Sequence, residues 1–263
     1  MRELDFIQST LEALAPFVRE QHALRDSLKV RLKDGANDLL TQVDLEVQER
    51  IVRGIQQQFP GDTIVAEEAG MDALPDKPES RCWFIDPIDG TQNFLRGLFP
   101  EFGVSIAFAQ SRETCAGGIA MPVTGDLFLV ERGHGATRNG QPIHVSEVDS
   151  LGLARVDVDF GYPRLREGTL QCCRDLLLQA GQLRCYSAAI VGLCSVACGE
   201  ADAYTSIETH PWDAAAGALL IEEAGGKATS FEGDRFSPLI PITSIAVSNG
   251  IIHDELLRMI APG

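Results

Sequence analysis

The residues in this chain best suited to chemistry are acidic side chains placed at the ends of apolar runs. Asp86 and Asp89 follow the apolar run 82–85, with Pro87 and Ile88 between them, and Gly90-Thr91 comes next. The run reads as a buried strand that stops at Pro87, because proline has no amide hydrogen to give to a central strand. Gly90-Thr91 then opens a helix. Two carboxylates at a strand end, followed by helix N-terminal amides, make a site for a divalent cation and a phosphate together. The cation would sit on Asp86 and Asp89, and the phosphate on the Gly90 and Thr91 amides. An Asp-capped turn would use the same residues with no chemistry attached.

Three further segments have the same design. Glu67-Glu68 end the short apolar run 64–66, Asp213 follows Trp212 and begins an Ala-rich helix, and Asp38 and Asp44 flank the start of another helix. Taken singly, each has an ordinary explanation. Asp is a common helix N-cap, a Glu pair is at home in a solvated loop, and a first-turn acid suits the helix dipole. His22, His134, His144, His210 and His253 form no ligand-spaced pair, so none is assigned to metal. Oxygen-only donors suit Mg²⁺.

The scaffold that must hold these groups reads as follows. Leu4, Ile7, Leu11, Leu14, Phe17 and Val18 recur at helical spacing over 3–24. A short extended segment at 30–33 and a turn at 35–38 come next. A second helix carries Val43, Val47, Ile51, Ile55 and Phe59 on one face and ends at Pro60-Gly61. Residues 69–80 form a Pro- and acid-rich loop. Short strands at 103–109, 114–121, 126–131 and 135–138 suggest an antiparallel meander, and Asn139-Gly140 is a tight-turn pair. The first domain, α+β, is expected to span 1–150 and carry most of the candidate metal ligands, and the α/β remainder to carry Asp213 and the substrate pocket. The second, 151–263, would open with a strand at 153–158. Helices are expected at 166–180, 187–198, 213–224 and 252–260, with strands at 201–206 and 245–248. Strands and helices fall in segregated runs, which favours α+β layering over a doubly wound sheet.

Composition narrows the function. The chain has 263 residues, 44% of them hydrophobic, and a net charge of −16. Such a surface repels nucleic acid and anionic membranes. It also repels a phosphorylated metabolite unless bound cations receive it, since only Arg81 and Arg96 lie near 86–91 in sequence. No apolar run is long enough to span a bilayer, and residues 1–25 carry charges throughout, unlike a signal peptide. Seven cysteines without a Cys-x-x-Cys pair, most in apolar segments, point to buried free thiols and a cytoplasmic location.

Taken together, the motifs resemble the inositol monophosphatase family. Asp86-Pro87-Ile88-Asp89-Gly90-Thr91 with Asn93-Phe94 is similar to its first signature. Trp212-Asp213-Ala214-Ala215-Ala216-Gly217, then Glu223-Ala224-Gly225-Gly226, resembles the second. Lys33, Asp38, Thr41 and Asp44 match an upstream stretch, and Ala66-Glu67-Glu68 matches a Gly-Glu-Glu element. The resemblance implies a layered α/β/α/β/α sandwich of the inositol monophosphatase and fructose-1,6-bisphosphatase type, usually a homodimer. It implies Mg²⁺-dependent, lithium-sensitive hydrolysis of phosphomonoesters, with two or three ions per site. Carried over by position, Glu67, Asp86 and the Ile88 carbonyl hold one ion, and Asp86, Asp89 and Asp213 a second. Glu67 bears on a third, weaker one. Thr91 with Asp44 would orient the attacking water. Two such ions about 3.5–4 Å apart could polarise the ester and activate water without a Ser or Cys nucleophile.

The substrate side departs from the pattern. Inositol-specific members carry an acid where this chain has Ser206, and Glu208 stands where they have glycine. Either Glu208 takes over through a shifted loop, or the polyol is read differently. Ala189 matches a backbone contact, and Gly161 and Tyr162 fall in another pocket loop. Asp89, Gly90, Thr91, Ala189, Ser206, Glu208 and Asp213 are thus the expected substrate contacts. The expected activity is hydrolysis of a small phosphomonoester, inositol monophosphate or a similar polyol or sugar phosphate. Alternatives are a relative acting on fructose 1,6-bisphosphate, histidinol phosphate or a 3′,5′-bisphosphonucleotide, and a non-catalytic, metal-dependent binding or assembly module.

Overall fold

The computed structural model describes residues 2–32, 39–68, 73–75, 77, 79–97 and 101–260. The turn expected at 35–38, with Lys33 and Asp38, and much of the loop at 69–80 lie outside them.

Among the described residues the chain stacks as helix, sheet, helix, sheet, helix, which is the α+β layered sandwich expected. The first layer is α1 (Glu3–Ala23) and α2 (Gln42–Gln58). Their apolar stripes, Phe6, Ile7, Leu11, Leu14 and Val18 on one and Val43, Val47, Ile51 and Ile55 on the other, are buried. Just before α2, β1 (Val30–Leu32) and β2 (Leu39–Thr41) pair antiparallel. The helices cover a seven-stranded sheet ordered β3 (Thr63–Ala66), β4 (Arg81–Asp89), β5 (Gly103–Gln110), β6 (Glu113–Met121), β7 (Asp126–Glu131), β8 (Ala136–Arg138) and β9 (Gln141–Pro142). Asn139 (φ 53°) and Gly140 (φ 75°) make the tight turn between the last two. β3 and β4 run parallel, and from β4 onward each neighbour is antiparallel.

The middle layer is α6 (Ala189–Ala197) and α7 (Pro211–Glu223), and the outer layer is α4 (Arg166–Cys172), α5 (Arg174–Gln179) and α8 (His253–Met259). Between these layers lies a five-stranded sheet ordered β11 (Gln182–Arg184), β10 (Arg155–Val158), β12 (Ala203–Thr209), β14 (Thr243–Ser248) and β13 (Lys227–Thr229). The middle helices make one core common to both sheets. Phe84, Ala107 and Ile119 from the first sheet and Tyr204, Ile245 and Val247 from the second belong to it. The Ala214-Ala215-Ala216-Gly217 face lets α7 lie close on β6, where a Cβ added at Gly117 would come 3.0 Å from Ala216 Cα. Truncating a side chain in this core, such as Leu219→Ala, costs about 2–5 kcal/mol.

Two elements differ from expectation. β4 does not stop at Pro87 but runs to Asp89. β3 pairs with β4 only as far as Ala66↔Ile85, so the following residues have no ladder partner on that side. On the other side the register slips between Asp86↔Ser105 and Asp89↔Gly103, leaving one extra residue on β4. A bulge of this kind tolerates a residue with no N–H. The single helix expected over 166–180 is two helices parted at Cys173, with Thr169, Cys173 and Leu176 turned inward. Cys82, Cys173 and Cys194 are buried thiols, whereas Cys185 is exposed. No helix among the described residues is long and apolar enough to cross a membrane.

Candidate active site

The bulge in β4 turns the strand end into a platform for Asp86 and Asp89. Glu67 leaves β3 just beside it, and its N–H donates to the Ile85 carbonyl at 3.1 Å, one step beyond the strand proper. Asp213 comes from the other half of the chain. It is the third residue of α7, not its N-cap, because Pro211 starts the helix two residues earlier than expected. Proline suits that first position, where no amide hydrogen is needed. The Asp213 carboxylate accepts the His210 N–H at 2.9 Å. Asp44 has the same place in α2, where it accepts the Thr41 N–H at 2.9 Å and the Thr41 hydroxyl at 2.5 Å. Asp89 accepts the Ile190 N–H at 2.6 Å, from the first turn of α6, and is also bonded by the Gly90 N–H.

These carboxyls lie in one another's fields. Burial drives Asp86 well above the usual carboxylate range, and the charges of Glu67, Asp89 and Asp213 add to it. Asp213 is raised likewise by burial and then by Asp89. Burial lifts Asp89 to about 7 against the opposing Ile190 N–H, and lifts Asp44 to about 6 against the Thr41 bonds. Among the described residues, no three His, Cys, Asp or Glu side chains are close enough to cage an ion as they stand. The cluster is an open set of carboxyls that repel one another.

The donor set fits a hard divalent cation. It is all oxygen, and among the described residues Asp86 Oδ1 is buried with no hydrogen-bond partner. A buried carboxylate oxygen left without a compensating partner costs free energy. A cation would satisfy that oxygen and remove the repulsion at once.

Thr91 opens α3 (Thr91–Arg96). Its hydroxyl lies 3.0 Å from the Ile88 carbonyl and 3.3 Å from Asp44 Oδ1. Gly90 before it has φ 82°, and an added Cβ would stand 2.9 Å from the Glu101 carbonyl, so glycine is required there. Asn93 clamps the same corner, with its Nδ2 2.8 Å from both the Glu101 and Tyr186 carbonyls. Arg81, which is near in sequence, pairs with Asp62 and Glu3 instead.

The structure brings Glu67, Asp86, Ile88, Asp89, Gly90, Thr91, Asp44 and Asp213 together. Ala189 joins them at the start of α6, next to Ile190. Glu68 is buried with its N–H on Gln48 Oε1 at 3.0 Å, so it is no solvated loop residue. The substrate side is arranged differently from expectation. Ser206 is buried, and its hydroxyl donates to the Glu208 carbonyl at 2.9 Å. The Arg164 guanidinium forks onto both Glu208 oxygens at 2.7 and 2.5 Å and holds that carboxyl below the usual range. Arg164 also lies 5.7 Å from the exposed Tyr162 ring. His210 stacks on Trp212 with ring centroids 4.5 Å apart, beside Asp213.

Sequence reading missed Asp157 and Asp159. Both face inward from the end of β10, where burial lifts Asp157 to about 7 and raises Asp159. The signal was there: Val156-Asp157-Val158-Asp159 alternates, so both acids lie on one face.

The family description "Inositol monophosphatase family" matches residues 1–261. Arabidopsis thaliana "Phosphatase IMPL1, chloroplastic" is 35% identical over 87% of this chain, which covers 62% of that protein's length. Pasteurella multocida "Nus factor SuhB" is 36% identical over 90% of this chain and 88% of its own. Among solved structures, the "Thermotoga maritima IMPase TM1415" superposes with a TM-score of 0.86 at 32% identity, covering 98% of this chain and 96% of that one.

Proposed function

The chain belongs to the inositol monophosphatase family, and from that premise we propose how this phosphomonoester hydrolase works. Glu67, Asp86, Asp89, Asp213 and the Ile88 carbonyl hold two or three Mg²⁺ ions. Bound there, the ions offset the carboxylate charge and polarise the phosphate ester. The observation that carries this reading is the buried Asp86 Oδ1, which has no hydrogen-bond partner among the described residues and belongs to a carboxyl in the fields of Glu67, Asp89 and Asp213.

The protein's own groups do the rest. Thr91 Oγ1 donates to Asp44 Oδ1 and offers its lone pairs to the attacking water. Asp44, lifted to about 6 by burial, is a base of suitable strength near neutral pH. It takes the Thr91 proton as the hydroxyl takes one from water. The Gly90 and Thr91 amides are the phosphate contacts, and the Ile190 N–H keeps Asp89 in place. Water adds to phosphorus, the ester P–O bond breaks, the leaving oxygen takes up a proton from solvent, and phosphate and an alcohol leave.

The substrate is a small phosphomonoester, inositol monophosphate or a similar polyol or sugar phosphate, and the working form is a cytoplasmic homodimer. The Pasteurella relative is named a "Nus factor" and not an enzyme, which supports the non-catalytic alternative as a second role, though a net charge of −16 works against direct contact with nucleic acid. A panel of phosphomonoesters assayed with Mg²⁺, with and without chelator, tests the main reading. Turnover that chelator abolishes is expected, and full turnover in chelator overturns it.

A further inference from the structure

The polar groups on the substrate side of the site are mostly occupied. The Ser206 hydroxyl is given to the Glu208 carbonyl, and both Glu208 carboxylate oxygens are held by Arg164. One acid there is less engaged. Asp159 stands at the end of β10, its N–H donating to the Thr205 carbonyl at 2.9 Å, which puts it beside Ser206 on the neighbouring strand. It is half-buried, and its Oδ1 accepts the Gly161 N–H at 2.9 Å. Its charge bears on both Asp89 and Asp213, so it lies close to the carboxylate cluster. Tyr204 supplies an independent sign of a polar strip here. Among the described residues its Oη is buried with no hydrogen-bond partner, in the fields of Asp159, Asp157, Asp89 and Asp213.

We propose that Asp159 reads the alcohol part of the substrate, its carboxylate accepting a hydrogen bond from a free hydroxyl of the phosphorylated polyol. The inference rests on the phosphatase reading above. It selects esters whose alcohol carries further hydroxyls over esters that carry none. Asp157, two residues earlier on the same face, is fully buried against the Tyr186 N–H at 3.3 Å and is the natural control. It is the same residue type on the same face of the chain, but its side chain is buried.

The test compares kcat/KM for inositol 1-phosphate, glycerol 2-phosphate and p-nitrophenyl phosphate in the wild type, Asp159→Asn and Asp157→Asn, all with Mg²⁺. Asp159→Asn should lower kcat/KM on the polyol esters roughly ten-fold or more, mainly through KM, since a charged acceptor is lost. The aryl ester should stay within about two-fold, and Asp157→Asn should leave the polyol-to-aryl ratio unchanged. An unchanged ratio in Asp159→Asn overturns the proposal, as does an equal shift in Asp157→Asn. Wild-type turnover of the aryl ester but of neither polyol ester also overturns it while leaving the phosphatase reading standing. Turnover of none of the three removes both.

Discussion

Thr91 Oγ1 lies 3.3 Å from Asp44 Oδ1, although the two residues are 47 positions apart and belong to different helices. Thr91 begins α3 and Asp44 sits in the first turn of α2, so each helix start aims one group at the other. If this pair orients the attacking water, Thr91→Ala should lower kcat more than it raises KM. Asp44→Asn should act on the same step, and the double variant should be little worse than either single one. Steady-state kinetics of the three variants checks this, and an effect of Thr91→Ala on KM alone would remove the pair from the chemistry.

Activity should require Mg²⁺ and be blocked by excess Ca²⁺. The larger ion tolerates irregular coordination, and a site built for octahedral Mg²⁺ loses its alignment with it. Millimolar Li⁺ should also inhibit, by replacing the more weakly held ion that Asp213 completes. Rates measured across metal and substrate concentrations decide the point. Li⁺ inhibition that ignores both substrate concentration and weakening of Asp213 speaks against that placement.

Asp89→Asn and Asp213→Asn should each remove most turnover while the fold persists. The repulsion within the cluster adds a second expectation. In chelator, each variant should melt at or above the wild-type temperature, because one buried like charge is gone. Saturating Mg²⁺ should stabilise the wild type, by about 2.7 kcal/mol at a hundred-fold excess over Kd, and raise its melting temperature, and should do so much less for the variants. Thermal melts with and without Mg²⁺ read this without any assay. An equal Mg²⁺ shift in all three proteins would mean that the ion binds elsewhere.

His253 should make the fold acid-sensitive well above the usual carboxylate range. Its ring is buried, with Thr229 Oγ1 and Ser248 Oγ each 2.9 Å from a ring nitrogen, and neutral imidazole can give a proton to one and accept from the other. Burial, helped by Lys227, lowers its pKa to about 4 from 6.5. The unfolded chain therefore binds the proton first. The stabilisation from neutral His253 is complete above about pH 6.5 and is lost as the pH falls toward 4. Urea melts between pH 7 and pH 4 should show this slope, and His253→Gln should flatten it. An unchanged slope in that variant would assign the acid sensitivity to other groups.

Much of the site could be read from local spacing. Asp86-Pro87-Ile88-Asp89-Gly90-Thr91 marks a strand end, a bulge and a helix start within six residues, because proline and glycine restrict or free the backbone on their own. Asp44 was visible as a first-turn acid, and Asp213 as an acid at a helix start, though two residues further into the helix than its position suggested. The boundary at Pro87 was misread because strand tolerance depends on which neighbours pair, and β3 ends one residue too early to require that missing N–H.

The substrate side could not be read in this way. Ser206 and Glu208 were candidates by position, yet whether each is available depends on partners remote in sequence. Arg164 holds Glu208 from 44 residues away, and Ile190 fixes Asp89 from 101 residues away. The sequence alone determined the elements, the oxygen donors and the family, since these follow from residue type and near-neighbour spacing. Only the tertiary structure decided which of these polar groups are already held by partners. Hydrogen bonds and fields act over a few ångströms of space, and the order of residues along the chain does not say which of them will meet there.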